Sequence, residues 1–154
     1  MACNMQVRQI PMAQLRELLD EQLRHGEALL PVTGNSMWPM LAGGRDMVRL
    51  SPLNRHVRTG DVLLYQRADG SYVLHRVIRA EASGGCVCCG DNQWEREQVP
   101  EERMIAYVTA FCRKGCWRET AQSRSYRLYA WLWIAAFPAR RSLLKLLYLL
   151  RRIR

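Results

Sequence analysis

The sequence predicts a mainly β, α+β protein, and three observations support this fold class. Short apolar segments, several of them alternating with polar residues, fill the middle of the chain. Glycine-containing turn signals separate these segments. Apolar residues recur with helical spacing near both ends. We therefore divide the 154 residues into an N-terminal helix (1–28), a β-rich domain (29–117) and a basic, amphipathic helical tail (118–154).

The N-terminal segment has the periodicity of one amphipathic helix. Met12, Leu15, Leu19 and Leu23 fall on one face, and Gly26 is a stop signal. A DNA-reading helix-turn-helix needs a second helix close behind the first. This segment therefore does not predict a nucleic-acid-binding module.

The β domain contains six predicted strands. The strongest local signal is the turn at 68–71, which contains Asp-Gly and predicts a hairpin. The segment 94–102 is polar and is predicted to be a loop. The strands are expected at 29–33, 46–50, 62–65, 72–78, 86–89 and 104–112.

The tail differs from the β domain in composition and in predicted secondary structure. Ten apolar or aromatic residues at 128–137 precede Pro138, and a second amphipathic helix is predicted at 143–153. Both runs are shorter than the roughly 20 residues that cross a bilayer. Aromatic residues beside arginines favour a helix at a membrane interface, so we expect peripheral membrane contact through residues 126–154. Packing of the apolar face on the domain or on a partner protein is the alternative.

The basic charge of the chain is concentrated in the tail. Residues 118–154 contain nine Lys and Arg and one acid, whereas residues 1–117 contain fourteen basic and thirteen acidic groups. The body is therefore nearly neutral. We expect no nucleic acid among the partners, because diffuse attraction to phosphates needs a basic surface.

The six cysteines match no familiar metal or disulfide pattern. Cys-x-Cys-Cys at 86–89 and Cys-x-x-x-Cys at 112–116 differ from the usual zinc spacing. Residues 1–10 lack the apolar core of a secretory signal peptide. We expect reduced thiols, no metal and no cofactor, in a cytoplasmic protein whose tail contacts the inner membrane surface. A thiol-based metal or redox protein is the weaker alternative.

A serine in an irregular turn is the first candidate for a reactive side chain. Residues 34–41 are Gly-Asn-Ser-Met-Trp-Pro-Met-Leu, and Pro39 biases the residue before it away from the α region. The pattern predicts a chain reversal that presents the Ser36 hydroxyl. Histidine and aspartate motifs at 74–77 and 90–92 follow, which are the residue types needed for nucleophilic acyl transfer.

Activation of Ser36 needs a base, and the sequence favours His75. The chain has two lysines, Lys114 and Lys145, both outside the β segments that contain the other motifs. Arginine does not deprotonate in proteins. On the strand at 72–78, the imidazole would share a face with two valines, and partial burial keeps histidine neutral and able to accept a proton. A structural histidine, hydrogen-bonded in the core, is the alternative.

Two aspartates could support His75. Asp91 is the first candidate to orient the imidazole and stabilise its protonated form, and Asp61 is the second. Each follows a glycine, so the alternative for both is a turn aspartate that caps its own backbone. Backbone N–H groups of Asn35 and Ser36 would form the oxyanion hole.

These motifs resemble those of the signal peptidase I and LexA-like serine peptidases. That family has its nucleophile in an S-M-x-P turn, followed by G-D, an R-V strand and G-D-N. Its endoplasmic-reticulum and archaeal branch has histidine before R-V, and the matching segments here are 36–39, 60–62, 75–77 and 90–92. The resemblance implies a β-rich peptidase fold and a serine endopeptidase that cleaves a signal or leader peptide after small residues.

The chain also departs from the family's pattern. An N-terminal transmembrane anchor, usual in signal peptidases, is not predicted. Gly34 stands where many members have a serine that completes the oxyanion hole. Neither a DNA-binding domain nor a self-cleavage site is evident before Ser36. We therefore expect a peptide or preprotein substrate, with a non-catalytic module that keeps the groove to hold a peptide as the alternative function.

Overall fold

The structure, a computed structural model, describes residues 12–113 and 115–152. In this part of the chain, eight strands form one antiparallel sheet and three α-helices pack around it, which confirms the mainly β, α+β class. The strands are β1 (Ala28–Pro31), β2 (Met47–Pro52), β3 (Val62–Gln66), β4 (Tyr72–Ala80), β5 (Cys86–Cys89), β6 (Glu97–Val99), β7 (Met104–Arg113) and β8 (Cys116–Glu119), and the helices are α1 (Met12–Arg24), α2 (Arg124–Ala135) and α3 (Arg140–Arg152).

The sheet is not a simple meander. Its strand order is β1-β2-β7-β3-β4-β5-β6, and β8 pairs with β7 outside this path. The predicted hairpin joins β3 and β4, with Gly70 at positive φ and the Asp69 carboxylate accepting the Ser71 N–H. An aspartate followed by glycine stabilises this tight reversal because the two residues supply a local acceptor and a left-handed backbone.

The predicted loop at 94–102 is wrong for its middle residues. Glu97–Val99 is β6 and pairs with β5, with Cys86 opposite Val99 and Cys88 opposite Glu97. Backbone hydrogen bonds hold such a short edge strand, and its polar sequence has no alternation that predicts it. β8 was not predicted either, and it crosses the boundary expected at residues 117 and 118.

Two apolar cores cover the two faces of the sheet. α1, the turn after β1 and Tyr126 of α2 belong to one core, and Leu63, Tyr65, Val73 and Val77 belong to the other. Because successive residues of a strand point to opposite faces, β4 directs neighbouring side chains into different cores. The face on which a candidate residue of β4 lies therefore determines which other side chains it can contact.

The tail packs on the β domain. Tyr126, Ala130 and Trp133 of α2, and Arg140 and Leu144 of α3, are buried. The N-terminus of α2 is capped by Ser123, whose hydroxyl accepts the Tyr126 N–H. None of the helices in the described residues combines the length and the apolar character needed to span a bilayer. Residues 1–11 of the predicted N-terminal helix lie outside the described residues.

Candidate active site

The Ser36 turn lies between β1 and β2 and forms the chain reversal that the sequence predicts. Met37 and Leu41 anchor it in the core, and the Leu41 N–H donates to the Met37 carbonyl at 2.9 Å. The Asn35 side-chain oxygen accepts the Gly43 N–H at 3.2 Å. Ser36 itself remains partly exposed. The turn thus presents one hydroxyl on a well-packed support.

The segment after β5 fixes the position of this turn. The Asn92 N–H donates to the Ser36 carbonyl at 2.7 Å, and the Asn92 side-chain amide donates to the Asn35 carbonyl at 3.2 Å. In the described residues, neither the Asn35 N–H nor the Ser36 N–H donates a hydrogen bond. These two groups therefore remain available to stabilise an oxyanion.

His75 lies on β4 and is almost completely buried. Desolvation lowers its pKa to about 4, although the nearby Glu97 carboxylate opposes this shift. The imidazole is consequently neutral at pH 7. A neutral imidazole has one nitrogen that donates and one that accepts, and its neighbours determine which is which.

Tyr65 and Glu97 surround the Nδ1 atom of His75. The Tyr65 hydroxyl oxygen lies 3.1 Å from Nδ1, and the Glu97 Oε1 atom lies 3.3 Å from it. Arg67 binds both Glu97 carboxylate oxygens, with Nε at 2.7 Å from Oε2, and lowers the pKa of that carboxyl. Two oxygen acceptors around Nδ1 favour a proton on this nitrogen. Nε2 is then left with its lone pair free to accept a proton.

Gly90 lies between Ser36 and the Nε2 atom of His75. A Cβ atom placed on Gly90 would lie 2.7 Å from the Ser36 carbonyl oxygen and 3.1 Å from His75 Nε2. Both groups therefore border the same point of the backbone, and a side chain at residue 90 would displace one of them. The glycine is needed here for close approach and not for a positive φ.

The structure does not connect Ser36 and His75 by a hydrogen bond in the described residues. In enzymes without substrate, the contact between nucleophile and base is often long and shortens when substrate binds. The backbone of the predicted nucleophile and the Nε2 atom of the predicted base thus both lie close to Gly90.

Asp91 does not occupy the position predicted for it behind His75. Its Oδ1 lies 2.8 Å from Arg76 Nε and its Oδ2 lies 2.7 Å from Arg76 Nη2, and both side chains are fully buried. Tyr129 of α2 also donates to Oδ2, at 3.2 Å. The reason is the alternation of β4: Arg76 points to the face opposite His75, and Asp91 meets Arg76.

Asp61, the second candidate, does not bind the imidazole either. Its carboxylate accepts two hydrogen bonds from Arg55, at 2.8 and 3.1 Å, and a third from the Arg58 N–H at 2.8 Å. This is the turn-capping role named as its alternative. It supports the connection between β2 and β3.

Three residues of the site were missed by sequence analysis: Tyr65, Arg67 and Glu97. A signal for Tyr65 existed, because the hairpin register places Leu63 opposite His75 and Tyr65 two residues along on the same face. For Glu97 the sequence carries no such signal. Its strand was predicted as loop, and only the pairing of β6 with β5 brings it beside His75.

The tail closes one side of the site. Fully buried Arg140 of α3 donates to the carbonyl oxygens of Gly90 at 3.2 Å and Gln93 at 3.1 Å, and its Nη2 donates to Trp133 at 3.0 Å. The Trp133 indole N–H donates to the Asp91 carbonyl at 3.1 Å. The Gly90–Gln93 segment, which positions the Ser36 turn, is therefore held from behind by both tail helices.

An open groove of about 580 Å³ begins just beyond the Ser36 turn. Pro39 and Met40 form its end at the turn. The remaining lining residues are Phe111, Arg113, Cys116, Arg118, Ser125, Tyr126 and Tyr129.

The five cysteines in the described part of the chain do not form a ligand cluster. Cys86, Cys88 and Cys89 are buried thiols, and the Cys86 and Cys88 sulfur atoms lie 3.5 Å apart. Across residues 12–113 and 115–152, no group of three or more His, Cys, Asp and Glu side chains could hold a metal ion. Cys3 lies outside the described residues.

The sequence matches no model of a known protein family, and no curated protein matches it. The resemblance to the signal peptidase I and LexA-like peptidases therefore rests on the four motifs.

Proposed function

We propose that this protein is a serine endopeptidase of the signal peptidase and LexA-like fold that removes a signal or leader peptide from a precursor. The observation that carries the proposal is that the Ser36 carbonyl oxygen and His75 Nε2 both lie beside Gly90, 2.7 and 3.1 Å from the point where a Cβ would stand. It is supported by the two oxygen acceptors at Nδ1 of His75. Nucleophilic acyl transfer needs a hydroxyl, a neutral base and an acid behind the base, and we assign these roles to Ser36, His75 and Glu97.

In the proposed reaction, the Ser36 hydroxyl oxygen attacks the scissile carbonyl carbon while His75 Nε2 takes the hydroxyl proton. The Asn35 and Ser36 N–H groups stabilise the oxyanion. The protonated imidazole then gives its Nε2 proton to the leaving amine, and an ester to Ser36 remains. Water hydrolyses this ester, with His75 again accepting and returning a proton.

In this scheme, Glu97 takes the role that the sequence suggested for Asp91. Its negative charge favours the protonated imidazole, whose formation is disfavoured by burial. Tyr65 gives Nδ1–H a second acceptor and limits rotation of the ring. Asp91 acts through Arg76 and Tyr129 to hold the Gly90–Gln93 segment, so it is a positioning residue.

The groove beside Pro39 and Met40 has the size to accept several residues of an extended peptide, although neither Ser36 nor His75 lines it. A peptide substrate also agrees with the nearly neutral charge of residues 1–117. The second candidate function is peptide binding without cleavage. One observation favours it: the Ser36 hydroxyl makes no hydrogen bond to the imidazole in the described residues.

Incubation with a proteome-derived peptide library, followed by mass spectrometry of new N-termini, tests the proposal. The wild-type protein should generate new termini after small residues. Ser36→Ala and His75→Ala should generate none, and the matched controls Ser83→Ala and His56→Ala, at exposed positions, should behave as wild type.

Two outcomes contradict the peptidase. Wild-type protein that yields no new termini but retains library peptides equally well with or without Ser36 would favour the binding module. New termini that persist in either Ser36→Ala or His75→Ala would rule out the proposed mechanism. The natural substrate can then be sought among precursor peptides that accumulate in cells carrying Ser36→Ala.

A further inference from the structure

The outward faces of α2 and α3 carry most of the exposed large apolar side chains. Of the twelve such residues in the described part of the chain, eight lie on these two helices. On α2 they are Leu128, Trp131 and Leu132, and on α3 they are Leu143, Leu146, Leu149 and Leu150, which point outward, and Tyr148, which faces the Ser36 turn. A concentration of this kind on one part of a surface marks an interaction site.

The apolar face of α3 is separate from the face that packs on the domain. Arg140 and Leu144, four residues apart, point inward and are buried. With 3.6 residues per turn, Leu143, Leu146, Leu149 and Leu150 occupy an adjoining arc of about 120° that remains exposed. In the described residues, the helix therefore has one buried strip that packs on the domain and a second, apolar strip that remains exposed.

The same division applies to α2. Tyr126, Ala130 and Trp133 face the domain, whereas Trp131 is 66% exposed and points the other way. Tryptophan is enriched at membrane interfaces because its ring is apolar and its N–H is polar. The outward face of α2 thus also carries a residue type suited to the boundary between water and lipid.

The charges around these faces have one sign. Arg124, Arg127, Arg141 and Lys145 are exposed on the two helices, and residues 120–154 contain no aspartate or glutamate. The residues 1–117, by contrast, have nearly balanced charge. Exposed leucines and tryptophan with basic neighbours and no acid complement a negatively charged surface that also has an apolar interior.

We infer that the outward faces of α2 and α3 form a docking surface for an anionic lipid bilayer. The apolar side chains enter the boundary between headgroups and acyl chains, and the basic side chains contact the lipid phosphates. A second copy of this chain would cover the leucines, but it would bring another strongly basic tail against the first.

Another face of α3 contacts the Ser36 turn through Tyr148. The Tyr148 ring of α3 stacks on Trp38 with centroids 4.6 Å apart, and its hydroxyl exchanges hydrogen bonds with the Asn92 side chain. A bilayer bound to the leucine strip would therefore be separated from the Ser36 turn by the width of one helix, about 10 Å. Provided that the proposed peptidase function holds, the favoured substrates are precursors that are themselves at the membrane.

Flotation of the full-length chain with phosphatidylglycerol–phosphatidylcholine vesicles, compared with pure phosphatidylcholine vesicles, tests the surface. The wild type should bind the anionic vesicles and lose binding at high salt. Trp131→Ser should lower the partition coefficient roughly tenfold, because it removes a large apolar side chain from the interface. Trp117→Ser, a change at another exposed tryptophan on β8, is the matched control and should have no effect.

A charge reversal gives an independent measurement. Each basic residue near an anionic surface raises the partition coefficient about fivefold, so Arg127→Glu should reduce it by at least that factor. Arg103→Glu, at an exposed position before β7, should not. Circular dichroism and thermal unfolding of each variant establish that the fold is retained.

The results separate lipid binding from catalysis. Ser36→Ala should bind vesicles as well as the wild type, so lipid binding is tested even if the chain cleaves nothing. Equal binding to neutral and anionic vesicles, or equal losses in Trp131→Ser and Trp117→Ser, would overturn the proposal. So would sedimentation showing that Trp131→Ser converts a dimer to a monomer while the wild type fails to bind vesicles.

Discussion

Arg76 and Asp91 form a fully buried pair, joined by two hydrogen bonds of 2.8 and 2.7 Å. The pair connects β4 to the Gly90–Gln93 segment, which in turn holds the Ser36 turn through Asn92. The aspartate of the Gly-Asp-Asn motif therefore supports the segment that holds Ser36, the proposed nucleophile. The acidic residue beside the base is Glu97, on the short strand β6.

Asp91→Asn should mainly affect stability. The substitution leaves the Arg76 charge buried without its partner, and breaking such a pair costs about 3–5 kcal/mol. The free energy of unfolding, measured in urea, should fall by this amount. The double variant Arg76→Met/Asp91→Leu removes both charges and should recover a substantial part of the loss. A single variant as stable as wild type would show that the pair does not hold the segment.

Glu97→Gln should mainly affect turnover. Loss of the charge beside Nδ1 removes stabilisation of the protonated imidazole, and kcat should fall by roughly two to four orders of magnitude. Glu97→Asp retains the charge and should restore part of the activity. Both kcat and KM should be measured. Loss of the charge alone should lower kcat and leave KM unchanged, whereas a general packing defect would change KM as well. Equal kcat in Glu97→Gln and wild type would assign the acid role elsewhere.

Gly90→Ala should abolish cleavage. The new Cβ would lie 2.7 Å from the Ser36 carbonyl oxygen and 3.1 Å from His75 Nε2, so either the turn or the imidazole must move. Gly34→Ala is the matched control, because a Cβ there has no atom within 4 Å. Rates of peptide cleavage for both variants test the prediction. Similar rates would mean that the close approach at Gly90 is not required.

His75 should make folding pH-dependent between its ordinary pKa and its pKa in the fold. Burial lowers the pKa of His75 to about 4, so between pH 6.5 and 4 the unfolded chain binds a proton that the folded chain does not. Stability should therefore fall as the pH decreases through this range, by up to roughly 3 kcal/mol.

The variant His75→Gln isolates this contribution. The difference in free energy of unfolding between pH 7.5 and pH 4.5, measured by urea titration, should be smaller in His75→Gln than in wild type. His56→Gln changes an exposed histidine and serves as control. If wild type and His75→Gln show the same pH dependence, His75 is not buried in its neutral form.

Arg140→Ala should destabilise the protein even though the residue belongs to the tail. Its guanidinium donates to the carbonyl oxygens of Gly90, Gln93 and Trp133, and these would lose their buried donor. A loss of about 2–4 kcal/mol is expected, whereas the exposed neighbour Arg141 should tolerate alanine within about 0.5 kcal/mol. Thermal unfolding of the two variants measures the difference. Equal melting temperatures would mean that the tail is not part of the folded unit.

Much of the secondary structure could be predicted from local sequence, and local sequence also proposes the two central candidates of the site, Ser36 and His75. The α1 helix follows from its 3.6-residue periodicity, and the β3–β4 hairpin follows from the Asp69-Gly70 turn. Pro39 and its neighbours indicated the turn that presents Ser36. The shortage of lysine favours His75 as the candidate base.

The partners of these residues depended on contacts between distant segments. The sequence shows that His75 and Arg76 are adjacent, but only the pairing of β4 with β5 determines that Asp91 meets Arg76. Glu97 reaches His75 because β6 pairs with β5, and a three-residue polar strand has no pattern that predicts this pairing. The burial of Arg140 against Gly90 likewise depends on how α3 packs.

By itself, therefore, the sequence determined the mainly β class, the Ser36 turn and the choice of His75 over lysine. These properties depend on residue types and on spacing along one segment, where backbone geometry links sequence to structure directly. The tertiary structure decided which acid lies beside His75, the proposed base, and which supports the segment that holds Ser36, the proposed nucleophile. It did so because strand pairing and helix packing, rather than spacing along the chain, determine which side chains share a face.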